Sequence, residues 1–112
     1  MKARFELHGE VGIVPLEGRL TMGSDMATLE EIFIEAGAEQ GYAIIVDLGG
    51  VNFIDSAGLG ELVALNRRVE KAGGRVFLVE AHGKVNDLIE LTRIAQLIPV
   101  AKTLDEALAL LS

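Results

Sequence analysis

The chain has 112 residues, half of them hydrophobic, with a formal net charge of −7 and no cysteine. That length supports one domain with its own core, and the missing thiols exclude disulfides, thiolate catalysis and cysteine-based zinc sites. The acidic balance, the lack of a basic run, and a single Tyr with no Trp argue against nucleic acid or an anionic membrane as partner.

The N-terminus, Met1 to Glu6, leads into alternation and not into the apolar core of a signal peptide. No apolar run approaches the roughly 20 residues of a spanning helix, so the expectation is a soluble cytoplasmic protein. Phe5 and Leu7 alternate with Arg4, Glu6 and His8, the pattern of a half-buried strand. Gly9-Glu10 predicts a tight turn into a second strand, Val11 to Leu16, paired to the first. Pro15 cannot donate a ladder bond, so pairing should break near it. Glu17 to Gly23 is expected as a connecting loop. Ser24 or Asp25 can cap a helix whose Leu29, Ile32, Phe33 and Ala36 form its buried stripe.

Ala43 to Leu48 is nearly continuous apolar sequence, as expected of a strand covered on both faces. Gly49-Gly50 predicts a turn, and a short apolar link then delivers Asp55 and Ser56 to the start of a helix. That helix carries Leu62, Leu65, Val69 and Ala72 on one stripe, and Gly73-Gly74 ends it. Arg75 to Val79 is a further core strand, and Val85, Leu88, Ile89 and Thr92 mark another helix. Ile98-Pro99-Val100 is at best a short strand. Thr103 to Glu106 reads as a capping box before a last helix that buries Leu104, Ala107, Leu108 and Leu111. The order β-β-α-β-α-β-α-β-α calls for a single α/β domain with a mostly parallel sheet.

The sharpest local feature is Asp55-Ser56-Ala57-Gly58-Leu59-Gly60 at a strand-to-helix transition. Ligands and reactive groups gather at the carboxyl ends of strands in such sheets. The first turn of the helix offers unpaired N–H donors and a positive dipole end. A phosphate on Ser56 would add about −1.5 to −2 charges at a place the helix tolerates. The simpler alternative is that Asp55 or Ser56 only caps the helix, and local physics favours it; the two roles are compatible. Gly58 and Gly60 suit close approach. Leu59 and Val63 lie off the main buried stripe and are either core in a wider contact or an apolar docking patch beside Ser56.

Other chemistry is thinly supported. The glycines form neither a P-loop nor a dinucleotide fingerprint, so nucleotide binding is a weak alternative. Ser56, His82 and an aspartate would make a triad on paper, but Asp-Ser-Ala-Gly lacks the nucleophile elbow. His8 and His82 show no metal-ligand spacing, and neither a metal nor a cofactor is expected. The protein is read as a non-enzyme.

Val46-Asp47-Leu48 followed by Val51-Asn52-Phe53-Ile54-Asp55-Ser56-Ala57-Gly58-Leu59-Gly60 resembles the signature of STAS domains, specifically the bacterial anti-sigma factor antagonists. The resemblance covers almost the whole chain and includes the Gly18-Arg19-Leu20 turn, the Gly73-Gly74 break and the Thr103–Leu108 stretch. It implies one STAS domain over 1–112, with a central sheet of about four to five strands and about four helices. It also implies partner switching. An unphosphorylated antagonist binds an anti-sigma factor that is a serine kinase, is phosphorylated from ATP on the serine after the Asp, and lets go; a serine phosphatase reverses this. Ser56 matches that serine and Asp55 the preceding acid. The implied partner surface is Asp55, Ser56, Ala57, Gly58, Leu59, Gly60 and Val63. Ala57 stands where many relatives carry a second hydroxyl, leaving Ser56 as the one candidate. Arg93 to Leu97 lacks a glycine often seen near the end of the third helix. Related STAS domains also serve in stress-signalling assemblies, in lipid-transport complexes and as tails of anion transporters, and the alternative reading is a STAS subunit docking permanently in a stress-signalling or lipid-transport complex.

Overall fold

The computed structural model describes residues 1–21, 23 and 25–111. Its five strands are β1 (Lys2–Ala3), β2 (Glu6–His8), β3 (Val11–Leu20), β4 (Ala43–Ile54) and β5 (Val76–Val79). Its helices are α1 (Asp25–Glu35), α2 (Ser56–Lys71), α3 (Gly83–Thr92) and α4 (Leu104–Leu111), with a 3-10 turn at Ile94–Gln96. The sheet order is β1-β3-β4-β5, with β2 also on β3. β3, β4 and β5 run parallel, while β1 and β2 pair antiparallel with β3.

Alternation along β4 explains the layering. Ile44, Val46 and Leu48 join Leu29, Phe33, Leu62, Leu65, Val69, Val85 and Ile89 in the main core. Ile45 points the other way, into a smaller cluster with Ile13, Phe77, Val79 and Ala107, against which Leu104, Leu108 and Leu111 pack. Helices α1 to α3 therefore cover one face and α4 the other, so a continuous apolar run is what the central strand requires. Asn66 is the only polar side chain buried among the described residues. It accepts from the Val76 N–H at 3.2 Å and donates to the Leu97 carbonyl at 3.3 Å, tying α2 to β5 and to the segment beyond α3.

Several expectations are corrected. Residues 17–20 are not loop, and Gly49-Gly50 is not a turn; both belong to strands. Two steps on β3, from Pro15 to Glu17, span three on β4, from Asp47 to Gly50. One step from Gly18 to Arg19 spans two from Val51 to Phe53. Each mismatch is a bulge with the extra residue on β4. A side chain at Gly50 would lie 2.8 Å from the Leu16 carbonyl and the Glu17 Cγ, so β3 comes too close for anything but glycine. The Asp47 carboxylate accepts from the Gly49 N–H at 2.8 Å and holds the kink. The break expected at Pro15 is real: the first bulge adjoins it, and the edge partner splits there into β1 and β2. Leu7 is 52% exposed and not half-buried, and all three residues of the edge strand β2 are exposed.

Ser24 lies outside the described residues, and α1 begins at Asp25. Ala72 is exposed at the C-cap of α2. Residues 98–100 contribute one parallel bridge, Leu78 with Val100. At α4, Thr103 Oγ1 accepts from the Glu106 N–H at 3.1 Å as a capping box demands. The Glu106 carboxylate, however, accepts from Lys102 and not from Thr103. The Leu104 N–H is taken at 2.8 Å by Glu80, whose backbone sits in the left-handed region at φ 62°.

Candidate functional site

β5 ends at Val79, opposite Asp47, while β4 runs seven residues further to Ile54. That far half of β4 is paired only with β3, forming a two-stranded ribbon that ends at Leu20 and Ile54. Helix α2 starts at the tip. The Asp55 N–H donates to the Leu20 carbonyl at 3.3 Å, so the turn into the helix is fastened to the ribbon. Outside the core side of the ribbon, the Arg19 guanidinium lies 4.3 Å from the Phe53 ring centroid.

The cap is Asp55 and not Ser56. Asp55 is extended (φ −102°, ψ 178°), and its carboxylate accepts from the Gly58 N–H at 2.7 Å. Ser56 is the first helical residue and is exposed, and no intrachain hydrogen bond engages its hydroxyl among the described residues. The first-turn N–H groups of Ser56 and Ala57 have no intrahelical acceptor, so this corner presents a nucleophilic oxygen beside the positive end of a 16-residue helix.

The expected partner surface is only partly brought together. Ser56 and Gly60 are exposed, Ala57 is half-buried, and Val63 is half-buried against the main core. Leu59, at 5% exposure, is core and cannot dock. Gly58 is buried because a side chain there would fall onto the Leu20 carbonyl oxygen; this glycine lets α2 seat on the ribbon. Gly60 does nothing of the kind, since a methyl group there meets no heavy atom within 4 Å. The outward stripe of α2 is therefore Ser56, Gly60, Val63, Ala64 and Arg67, with Ala64 and Arg67 exposed. Their i+8 and i+11 spacing from Ser56 was the available signal for these last two.

Glu61, next on the helix, is pushed above its ordinary value of 4.5 by desolvation and by the Glu30 carboxylate across α1, against the pull of Arg68. Arg68 is shared between Glu30 at 4.0 Å and Glu39 at 3.9 Å, both exposed contacts of small weight.

The hydrolase arrangement is not assembled. His82 Nε2 lies 2.9 Å from the Gly49 carbonyl oxygen, and among the described residues no hydrogen bond links it to Ser56 or to an aspartate. His8 sits 3.6 Å from Glu6 on the exposed edge strand. Among the described residues, no group of three or more histidines and carboxylates is placed to hold a metal ion, and no helix is long and apolar enough to cross a membrane.

A family model for the STAS domain matches residues 2–107. The chain belongs to the STAS domain family. This STAS domain is 30% identical to an anti-sigma factor antagonist from Mycobacterium paratuberculosis, covering 96% of this chain and 91% of that one at a TM-score of 0.77. It shares the fold of the anti-sigma factor antagonist SpoIIAA in its unphosphorylated form, at 22% identity, 96% and 93% coverage and a TM-score of 0.76. The murine anion transporter Slc26a9 also contains this fold. There the match is 24% identical over 90% of this chain and 17% of the transporter, with a TM-score of 0.76.

Proposed function

We propose that this STAS domain is an anti-sigma factor antagonist that works by partner switching at Ser56. Unphosphorylated, it binds an anti-sigma factor that is also a serine kinase; phosphorylated, it is released, and a serine phosphatase restores it. The observation that carries this reading is the division of labour between neighbours: Asp55 does the capping, which leaves the Ser56 hydroxyl exposed and uncommitted. Its relatives support the setting, since the Mycobacterium protein is an anti-sigma factor antagonist and SpoIIAA exists in unphosphorylated and phosphorylated forms.

The chemistry is phosphoryl transfer. The Ser56 oxygen would bond to the γ-phosphorus of ATP as the bond to the bridging oxygen breaks, ADP leaves, and the hydroxyl proton passes to a base on the kinase or to water. The fold need not change. The phosphate would sit at the helix N-terminus, where dipole and free N–H groups favour an anion. What changes is the stripe itself: about 1.5 to 2 negative charges and a tetrahedral bulk beside the small residues Gly60 and Ala64. Gly60 one turn on, and Ala64 two turns on, permit a close partner backbone that such a group would hold off.

In a test with the cognate kinase and ATP, wild-type chain should gain one phosphate while Ser56→Ala gains none. Ser56→Ala should then stay bound in the presence of ATP, and Ser56→Asp should bind poorly. A wild-type chain that gains no phosphate mass removes this reading. Co-purification indifferent to every Ser56 substitution points instead to permanent docking in a larger complex.

A further inference from the structure

Away from Ser56, a groove of about 740 Å³ runs between α3, the 3-10 turn and residues 100–102. Its lining includes buried Ile89 and Ala101 with Val100, 37% exposed, as an aliphatic floor. Arg93 and Lys102, both exposed, also line it, and neither side chain is in an ion pair or hydrogen bond among the described residues. Glu90 lines the groove too, its carboxylate accepting from Asn86 at 3.3 Å.

The backbone at Arg93 adds a second observation. It is left-handed, at φ 56° and ψ 33°, where glycine is the inexpensive residue and an arginine is strained. The turn does not call for an arginine, whose side chain forms no hydrogen bond or ion pair among the described residues. What the arginine does is put a free guanidinium on the groove wall opposite an aliphatic floor.

We propose that this groove binds a small monocarboxylate with an aliphatic body. The volume falls within the roughly 300–1,000 Å³ of small-molecule sites. Among the lining side chains two cations stand against one carboxylate, and the Glu106 carboxylate sits at the Lys102 backbone, so the groove suits at most a monoanion and disfavours the multiply charged phosphates of nucleotides. The carboxylate takes charge-assisted hydrogen bonds from Arg93 and Lys102. The alkyl part covers Val100 together with the exposed Ala95 and half-buried Ala81 of the lining, apolar surface that is otherwise wetted. This site is independent of the Ser56 reading.

The test is an amide chemical-shift titration of the full chain with sodium octanoate, alongside octanol and ATP. Octanoate should give saturable shifts confined to residues 81, 86–96 and 100–102. Arg93→Gly and Lys102→Gln should each weaken binding about fivefold. Arg93→Gly suits the turn, so its melting temperature should be no lower than wild type, which separates lost binding from lost folding. Absence of saturable shifts at about 10 mM octanoate overturns the proposal. So does unchanged affinity in Arg93→Gly, binding of octanol as tight as octanoate, or tighter binding of ATP in the same groove.

Discussion

Gly58 and Gly60 stand two residues apart in one helix, yet replacing each with alanine should move stability in opposite directions. Gly60 is exposed, and an added methyl group would touch nothing. A glycine inside a helix is about 0.8–1.0 kcal/mol less favourable than alanine, so Gly60→Ala should stabilise the domain by close to that amount. For a domain near 100 residues this raises the melting temperature by about 3–8 °C. Gly58→Ala places a methyl group on the Leu20 carbonyl and must push α2 off the ribbon, at a cost of about 1–3 kcal/mol. Urea titration followed by circular dichroism should show the two midpoints displaced in opposite senses with the slope unchanged. The second readout is affinity for the kinase partner. If a partner backbone approaches Gly60, the more stable variant should bind at least about tenfold more weakly, a loss of 1.4 kcal/mol. A Gly60→Ala variant less stable than wild type would refute the open-surface reading. One that is more stable and binds as well as wild type would remove Gly60 from the interface.

Three further outcomes are expected. Asp55→Ala should lose about 1 kcal/mol in urea denaturation, and Asp55→Asn should keep most of it, because an amide oxygen can still accept from the Gly58 N–H. Asn66→Ala should cost about 2 kcal/mol by the same measurement, since it strands the buried Val76 N–H and frees the Leu97 carbonyl. Glu61 holds its proton more tightly in the folded chain than its ordinary 4.5, so its contribution to stability falls as pH rises from there through the folded value. Glu61→Gln should therefore melt higher than wild type at about pH 7 and match it at about pH 3, where both side chains are neutral; parallel melting curves across that range would contradict the assignment.

Periodicity made much of this fold readable. Ala43 to Leu48 announced a strand covered on both faces, and the stripes of α1 and α4 fell where the side chains predicted. Ser56 at a strand-to-helix corner was equally legible. What escaped was whatever depends on distant neighbours. Gly49-Gly50 carries no side chain to mark a face, and only the nearness of β3 turns that pair into strand. Leu59 looked peripheral because the stripe of α2 was drawn from its middle, whereas its first turn rests on the ribbon through Gly58. Asn66 sits on the buried side of α2, where a polar residue breaks the pattern, and its role requires β5 and residue 97, neither of which is local. Glu80 as the acceptor for Leu104 is a contact across 24 residues that no local motif announces.

The ribbon that carries Ser56 has a consequence for motion. Past Asp47, β4 has one hydrogen-bonded neighbour where the centre of the sheet gives it two. Local opening should therefore need less free energy at residues 50–54 than at 44–47, and their amides should exchange with solvent sooner. The phosphorylation corner proposed here thus rides on the less protected half of β4, and a partner seated there would slow exchange in the ribbon while leaving the strand's other half as it was.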